Sequence, residues 1–439
     1  MQDFADISNR EIFRLTWPNV ISNISVPLLG MADVYIAGHV GGDSMIGAVA
    51  LGSMIFNMIY WLCGFLRMGT SGLTAQSFGF SDMYKSKSVF LRSLGLALFV
   101  GFFLLGISAP LSRVLIAYMD APSTVLPHVS QYVAIRFYAV PASLSLFAFN
   151  GWFIGMQDAR SPMWVAVVSN IVNIIFSVVF VFHFQMGIGG IAAGTVVAQY
   201  FGLLMSATIF NVRYSRRLPR VAMSDVIKLR ELKLFFSINT DIFLRTLCIV
   251  IAFSGFTALS SRMGETVLAT NSLMLQLFTL FSYMIDGVAY AAESLSGKIF
   301  GAADHSSFKR LTHRLFFWGA VVAVVYSCVY LFAWHPILSF FKPSPKVLAE
   351  ASEQIGWGIL LPIVSFAAFV ADGIMIGATQ TASLRNSVFF ALISGVAVCF
   401  FFRFFQFSFG LWAGFSVFML MRGVLHIRSM SNLFLKENF

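Results

Sequence analysis

The chain has 439 residues, 58% hydrophobic and only 11% charged, with a mean hydropathy of +0.82 and a formal net charge of +10 at pH 7. Soluble domains carry roughly a quarter charged residues, so a soluble fold is excluded. The apolar residues recur as runs of roughly 18 to 25, long enough to cross a bilayer as helices, and they are continuous rather than alternating, which excludes a closed barrel.

The opening stretch MQDFADISNREIFRL carries Asp3, Asp6 and Glu11 and no basic leader, so a removable signal peptide is not expected. Spans are predicted at 12–36, 46–70, 89–110, 129–154, 163–184, 188–210, 234–259, 267–293, 313–334, 352–376, 386–402 and 407–427, twelve in all. With the N-terminus cytoplasmic, 21 Lys and Arg, Arg92 and Arg422 among them, fall at cytoplasmic ends and loops. Five fall opposite: Arg113, Arg262, Lys342, Lys346 and Arg403. The positive-inside rule then places both termini in the cytoplasm. This asymmetry accounts for the net charge without a nucleic-acid partner. Cys63, Cys248, Cys328 and Cys399 lie in apolar runs without metal spacing and read as small buried hydrophobes.

Shifting the chain by 222 residues lays Gly42 on Gly264, Phe78 and Gly79 on Phe300 and Gly301, Asp82 on Asp304, Arg92 on Arg314, and Ile154 and Gly155 on Ile376 and Gly377. The expected organisation is therefore a six-helix bundle over 1–211, a basic cytoplasmic linker over 212–233 and a second six-helix bundle over 234–439. Six spans per half start both halves on the same side, so a pseudo-two-fold axis along the membrane normal follows. That is a transporter architecture. The linker, NVRYSRRLPRVAMSDVIKLRELK, is either a solvated loop or a segment lying along anionic headgroups.

Asp33 stands deep in the first span, six residues after Pro27 and three after Gly30, where a proline kink would expose carbonyls. An acid at that depth must be protonated, paired or open to a wet cavity. Binding a proton in one conformation and losing it in another is what a proton-coupled carrier requires; packing alone is the plainer alternative. Asn170 and Asn173 share one face of the fifth span, and Ser177 continues it, a pattern that serves an ion or substrate site or joins helices. Asp241 and Arg245, four apart in the seventh span, are expected to neutralise each other or to gate. Asp286 and Glu293 share a face of the eighth and suit a cationic substrate or a second proton, although Glu293 is close enough to the surface to be merely solvated. Asp372 falls on Asn150 at the repeat offset. Arg67 and Arg136 are read as snorkelling or paired, and His183 as interfacial. A minority of the 49 phenylalanines, among them those of FFRFFQFSFG at 401–410, would suit flat cations if they lined a cavity.

No Walker sequence, nucleophile elbow or metalloprotease signature is present. An enzyme is not expected, and energy must come from a gradient. A membrane-embedded enzyme whose interior acids form no familiar motif is the remote alternative.

VPLLGMADVYIAGHVG, FLRMGTSGLTAQSFG, GMQDARSPMWVAVVSNIVNI and YMIDGVAYAAESLSGKIFG together resemble a bacterial branch of the multidrug and toxic compound extrusion family across nearly the whole chain. The resemblance implies two six-helix bundles in a bacterial inner membrane and proton or Na⁺ influx coupled to export of organic, often cationic and amphipathic compounds, without a cofactor. The family's first-span carboxylate falls on Asp33 and its fifth-span asparagine on Asn173. Its usual aspartate four positions later is Ser177 here, one negative ligand fewer, which favours H⁺ over Na⁺. A lipid-linked oligosaccharide flippase of the same superfamily is the main rival; a basic central cavity would favour it, whereas interior acids favour cations. Membrane lipids are the expected surroundings and a monomer the expected state, since the repeat supplies both halves.

Overall fold

The computed structural model describes residues 8–119, 122–216, 218–404 and 409–435. Among these every regular element is helical: α1 Asn9–Leu62, α2 Phe65–Gly79, α3 Met83–Gly106, α4 Ser108–Tyr118, α5 Leu126–Arg136, α6 Val140–Gly155, α7 Arg160–Val178, α8 Ile188–Phe210, the single turn α9 Met223–Val226, α10 Leu229–Ser261, α11 Glu265–Gly301, α12 His305–Phe340, α13 Pro345–Gly377, α14 Thr381–Phe404 and α15 Gly410–Leu435. Eleven segments of the described chain are long and apolar enough to cross a membrane, and the molecule is an integral membrane protein. The count falls one short of the predicted twelve because the segment Asn9–Gly79 contains both 12–36 and 46–70.

That segment is interrupted twice. At Gly41 (φ −153°, ψ 20°) and Gly42 (φ 61°, ψ −145°) the backbone leaves the helix, and a turn at 63–64 separates α1 from α2. The left-handed φ of Gly42 is one that a side chain would resist. Helical dihedrals run through Pro27, and the backbone leaves the helix at the glycine pair that begins eight residues beyond Asp33. Several helices outrun their predicted spans, α11 by eight residues at its C-terminal end, where Ser294, Ser296, Gly297 and Lys298 lower the hydropathy although most of the segment is buried.

The chain divides into two compact units, residues 21–239 and residues 1–20 with 240–439. In the first, α6 is apolar on all sides and nearly every residue of it is buried. Gly151 and Gly155 on α6 let its backbone approach α2: a Cβ at Gly151 would collide with the Arg67 carbonyl and one at Gly155 with the Ser71 carbonyl. In the second, Gly373 and Gly377 on α13 stand in the same way over the carbonyls of Ala289 and Glu293 on α11. The two pairs of the first unit thus recur in the second, 222 residues later. So do the left-handed residues: Gly42, Ser81 and Gln157 return as Gly264, Ala303 and Thr379. Asp82 caps α3 by accepting from the Lys85 amide at 2.8 Å, and Asp304 caps α12 from the Ser307 amide at 3.0 Å.

The opening turns of α1 pack within the second unit. Asn9 Oδ1 accepts from Trp318 Nε1 at 3.1 Å, and Phe13 meets the Trp318 ring edge-on at 4.6 Å. Ile12, Phe13, Val20, Met284, Trp318 and Tyr326 line an apolar hollow of about 160 Å³.

The linker folds onto the first unit. Arg92, which the charge count had placed with the cytoplasmic loops, is buried and donates from Nε to the Val226 carbonyl (2.8 Å) and from Nη2 to the Asp225 carbonyl (2.7 Å), the C-terminal end of α9. Lys87 donates to the Pro219 carbonyl at 2.9 Å. Hydrogen bonds from Lys228 and Tyr84 hold the Asp225 carboxyl below its usual range. Of the cysteines only Cys63 is buried; Cys248 and Cys399 are intermediate and Cys328 is exposed, so the expectation of four buried thiols is corrected. An exposed thiol on an apolar helix faces lipid, which costs a small apolar side chain little.

Candidate functional site

In the unit spanning 21–239, Asp33 is 5% exposed and its Oδ1 has no hydrogen-bond partner. Leaving such a carboxylate ionised at mid-span costs about 3 kcal/mol on an insertion scale, a penalty that packing alone does not require. Arg136, at the C-terminal end of α5, interacts with it electrostatically. The guanidinium is held elsewhere: Nη1 donates to Tyr132 Oη at 2.6 Å and to Ser53 Oγ at 3.2 Å. It also lies over the rings of Phe56 (5.0 Å) and Tyr132 (5.4 Å), and its Nε is buried without a hydrogen bond. Asp33 and Arg136 thus interact electrostatically without forming an ion pair. Snorkelling or pairing, the two readings open for Arg136, did not name Tyr132 and Ser53 as the groups that hold it. The signal was its spacing, four residues after Tyr132 and therefore on the same face.

The face formed by Asn170, Asn173 and Ser177 is divided between two neighbours. Asn170 Nδ2 donates to Ser25 Oγ (2.9 Å) and the Ser25 carbonyl (3.2 Å) on α1. Asn173 Nδ2 donates to Thr195 Oγ1 on α8 at 3.0 Å, and Asn173 Oδ1 accepts from the Ser177 hydroxyl at 3.2 Å. Ser177 is fully buried and lies against Gly194, where a Cβ would collide with it. No hydrogen bond joins these residues to Asp33, so the structure brings together Asn173, Ser177 and Thr195, and separately Asn170 and Ser25.

The second unit corrects the pairing expected for Asp241 and Arg245. Asp241 accepts from Arg385 Nη1 (2.5 Å) and Thr381 Oγ1 (3.0 Å) on α14. Arg245 reaches Asp372 on α13. Residues four apart share a helix face, yet here each finds a better-placed partner on a different neighbouring helix. Asp372 is the hub of a buried cluster: Oδ2 accepts from Arg245 and from Arg422 Nη2 (2.7 Å), and Oδ1 lies 2.8 Å from His426 Nε2. Arg422, assigned from its position to the cytoplasmic end of the last span, is instead 2% exposed and stacked near Phe369 (5.8 Å) and Phe418 (5.5 Å). Its four-residue spacing from His426 was the legible signal. Asp286 interacts electrostatically with Arg422, and Glu293 is buried rather than solvated. His183 is exposed, as an interfacial residue would be, and Arg67 is half-buried. The side chain of Arg403 and residues 405–408 of the phenylalanine-rich stretch lie outside the described residues, as do Asp3, Asp6, Arg217 and Lys436. Among the described residues no group of three or more His, Cys, Asp or Glu is placed to hold a metal ion.

The MatE family model matches twice, over residues 18–179 and 242–401. The DNA damage-inducible protein F of Escherichia coli is 32% identical over 426 residues, covering 96% of this chain and 92% of that protein. Two solved structures share the fold: a MOP superfamily transporter from Pyrococcus furiosus, described as having a binding pocket of reverse polarity (TM-score 0.86, 18% identity, 97% and 96% coverage), and a MATE in a bent conformation (TM-score 0.86, 19% identity, 97% and 96% coverage).

Proposed function

The chain belongs to the MatE family, and on that premise we propose that it is a secondary active antiporter that exports organic, cationic and amphipathic compounds in exchange for protons, with Asp33 as the coupling residue. It is a transporter and not an enzyme, and it uses no bound cofactor. The observation that carries the coupling assignment is Asp33 itself: a carboxylate buried in an apolar helix, with an unpartnered oxygen and a cation nearby that is anchored to other groups.

The fixed charge of Arg136 gives the exchange its direction. With Asp33 ionised, the pair sums to zero and an organic cation is tolerated beside the carboxylate. With Asp33 protonated, Arg136 is uncompensated and the cation is repelled. Protonation from outside therefore expels substrate, and deprotonation inside readmits it. Ser177 in place of an acid removes a ligand that Na⁺ would need, and the hydrogen-bonded set of Asn173, Ser177 and Thr195 serves as a neutral support for the site. Asp241 paired with Arg385 is assigned to gating.

The recurrence of caps, left-handed residues and glycine contacts at an offset of 222, together with the double family match, supports twelve spans in two six-helix bundles related by an axis along the membrane normal. The boundaries proposed are 1–211 and 234–439, joined by the linker 212–233. The chain is assigned as a monomer to a bacterial inner membrane, with both termini cytoplasmic.

The test is efflux of a fluorescent organic cation from proteoliposomes under an imposed pH gradient or an imposed Na⁺ gradient at matched membrane potential. Flux driven by the pH gradient, and lost in Asp33→Asn, is the expected result. Flux driven only by Na⁺ would overturn the ion assignment, and wild-type flux in D33N would remove Asp33 from the coupling role.

A further inference from the structure

We propose that the linker is a docking surface for anionic lipid: α9 and the start of α10 lay exposed apolar side chains into the bilayer interface while the basic residues among them bind the phosphates of acidic headgroups. The inference goes beyond the antiport reading and does not depend on it. Residues 212–233 carry seven Lys and Arg against two acids, Asp225 and Glu231. A solvated loop of that composition needs no fixed shape, yet this one is pinned at several points. Leu218 is buried among Phe90, Phe149, Trp152 and Phe153. Lys87 donates to the Pro219 carbonyl, Tyr84 to the Asp225 carboxylate, and Arg92 to the carbonyls at the end of α9.

What this anchoring leaves outward is apolar. Met223, Ile227 and Leu229 are 72%, 63% and 81% exposed, whereas Val226 is buried. Arg220, Lys228, Arg230 and Lys233, interleaved with them, are exposed as well. Apolar and basic side chains held together in this way match the bilayer interface, where the first reach the acyl boundary and the second meet anionic phosphate. Length sets the depth. α10 runs 33 residues, Leu229–Ser261, about 50 Å at 1.5 Å per residue, against a hydrocarbon layer about 30 Å thick. Its apolar run begins at Leu234, so residues 229–233 are the polar overhang, and Arg230 and Lys233 lie at the level of the headgroups. A soluble protein docking on this face would have to displace lipid from that layer. Neutral headgroups would leave the surplus of five positive charges unmatched, which is why the surface fits acidic ones.

The test is hydrogen–deuterium exchange of full-length protein in nanodiscs of phosphatidylcholine alone or of phosphatidylcholine with about 30% phosphatidylglycerol. Mass spectrometry follows the peptides that cover residues 218–230. Phosphatidylglycerol should slow their exchange by roughly tenfold, and about 0.5 M NaCl should remove most of the slowing by screening. Two double variants separate the contributions: Arg230→Gln with Lys233→Gln should abolish the dependence on phosphatidylglycerol, and Met223→Ser with Ile227→Ser should weaken it. Both leave Lys87, Arg92 and Lys228 in place, and unchanged exchange in α3 and α6 reports an intact fold. Equal exchange in the two bilayers overturns the proposal; if the segment is open in both, the face is left for a protein partner. A phosphatidylglycerol effect that survives both double variants overturns it too, because the lipid then acts elsewhere. The exchange is read without transport, so the surface and the antiport reading stand or fall separately.

Discussion

At the scale of single residues, the pairing pattern says more than the inventory of charges. Asp33 and Arg136 are oppositely charged neighbours that decline to pair, because Tyr132 and Ser53 hold the guanidinium and Phe56 supports its face. An uncompensated charge one or two side-chain lengths away contributes ~1–2 kcal/mol at an effective dielectric of about 20. Arg136→Gln should therefore bind an organic cation roughly tenfold more tightly at a pH where Asp33 is protonated, with slower release and a weaker pH dependence of binding. Equilibrium binding of tetraphenylphosphonium across pH checks this, and an unchanged pH profile would count against the repulsion mechanism. Asp33 was legible because nothing in an apolar span explains an acid. Of Arg136, Arg422 and His426 only the four-residue spacings were legible and not the burial, because a basic residue near a span end has a cheap surface alternative and only the packed helices decide between snorkelling and burial. The Asp241–Arg245 expectation failed for a related reason: spacing places two side chains on one face but does not tell which neighbour each will meet.

Among the elements, the helix inventory followed the hydrophobic runs closely, and α8 occupies its predicted span of 188–210. What hydropathy missed was polar or geometric: the extra turns of polar composition, the short α4 and α9, and the break at Gly41–Gly42. The glycine contacts of α6 and α13 give a paired prediction. Adding one methyl at Gly151 or at Gly373 should overpack the α2–α6 or the α11–α13 seam and cost about 1–3 kcal/mol each, read as a lower midpoint of thermal unfolding in detergent. Gly95, whose Cβ position is open, should accept alanine with little effect. The clamp on the linker makes a second prediction: Arg92→Ala leaves the α9 carbonyls without their guanidinium donor, a loss of about 2 kcal/mol. Faster trypsin cleavage at Arg220 and Lys228 is the expected result, and an unchanged cleavage rate would show that Lys87 and Tyr84 suffice.

For the whole molecule, the charge distribution predicts topology independently of any site. A C-terminal fluorescent protein should fold and emit, whereas a C-terminal alkaline phosphatase should be inactive, since that enzyme requires the oxidising side. The opposite pair of results would invert the assignment of both termini. The repeat was visible in sequence as a scatter of matched residues; its physical basis is the recurrence of positions where backbone conformation or close approach restricts the choice of residue. Asp82 and Asp304 persist as caps, Gly155 and Gly377 as contact points, while lipid-facing positions are free to drift.

The packing of the first turns of α1 against Trp318 and Met284 has a consequence for dissecting the gene. Residues 1–20 belong to the same compact unit as 240–439, so the two units are not successive pieces of chain. If the protein were made as two polypeptides divided just after Lys228, the first would carry on its N-terminus a plug for the second. Co-produced fragments should copurify through that plug, and trimming the first 20 residues should weaken their recovery as a pair. The first turns of α1 thus lie in the unit that the chain rejoins some two hundred residues later, and they stitch it from the far side of the intervening bundle's sequence.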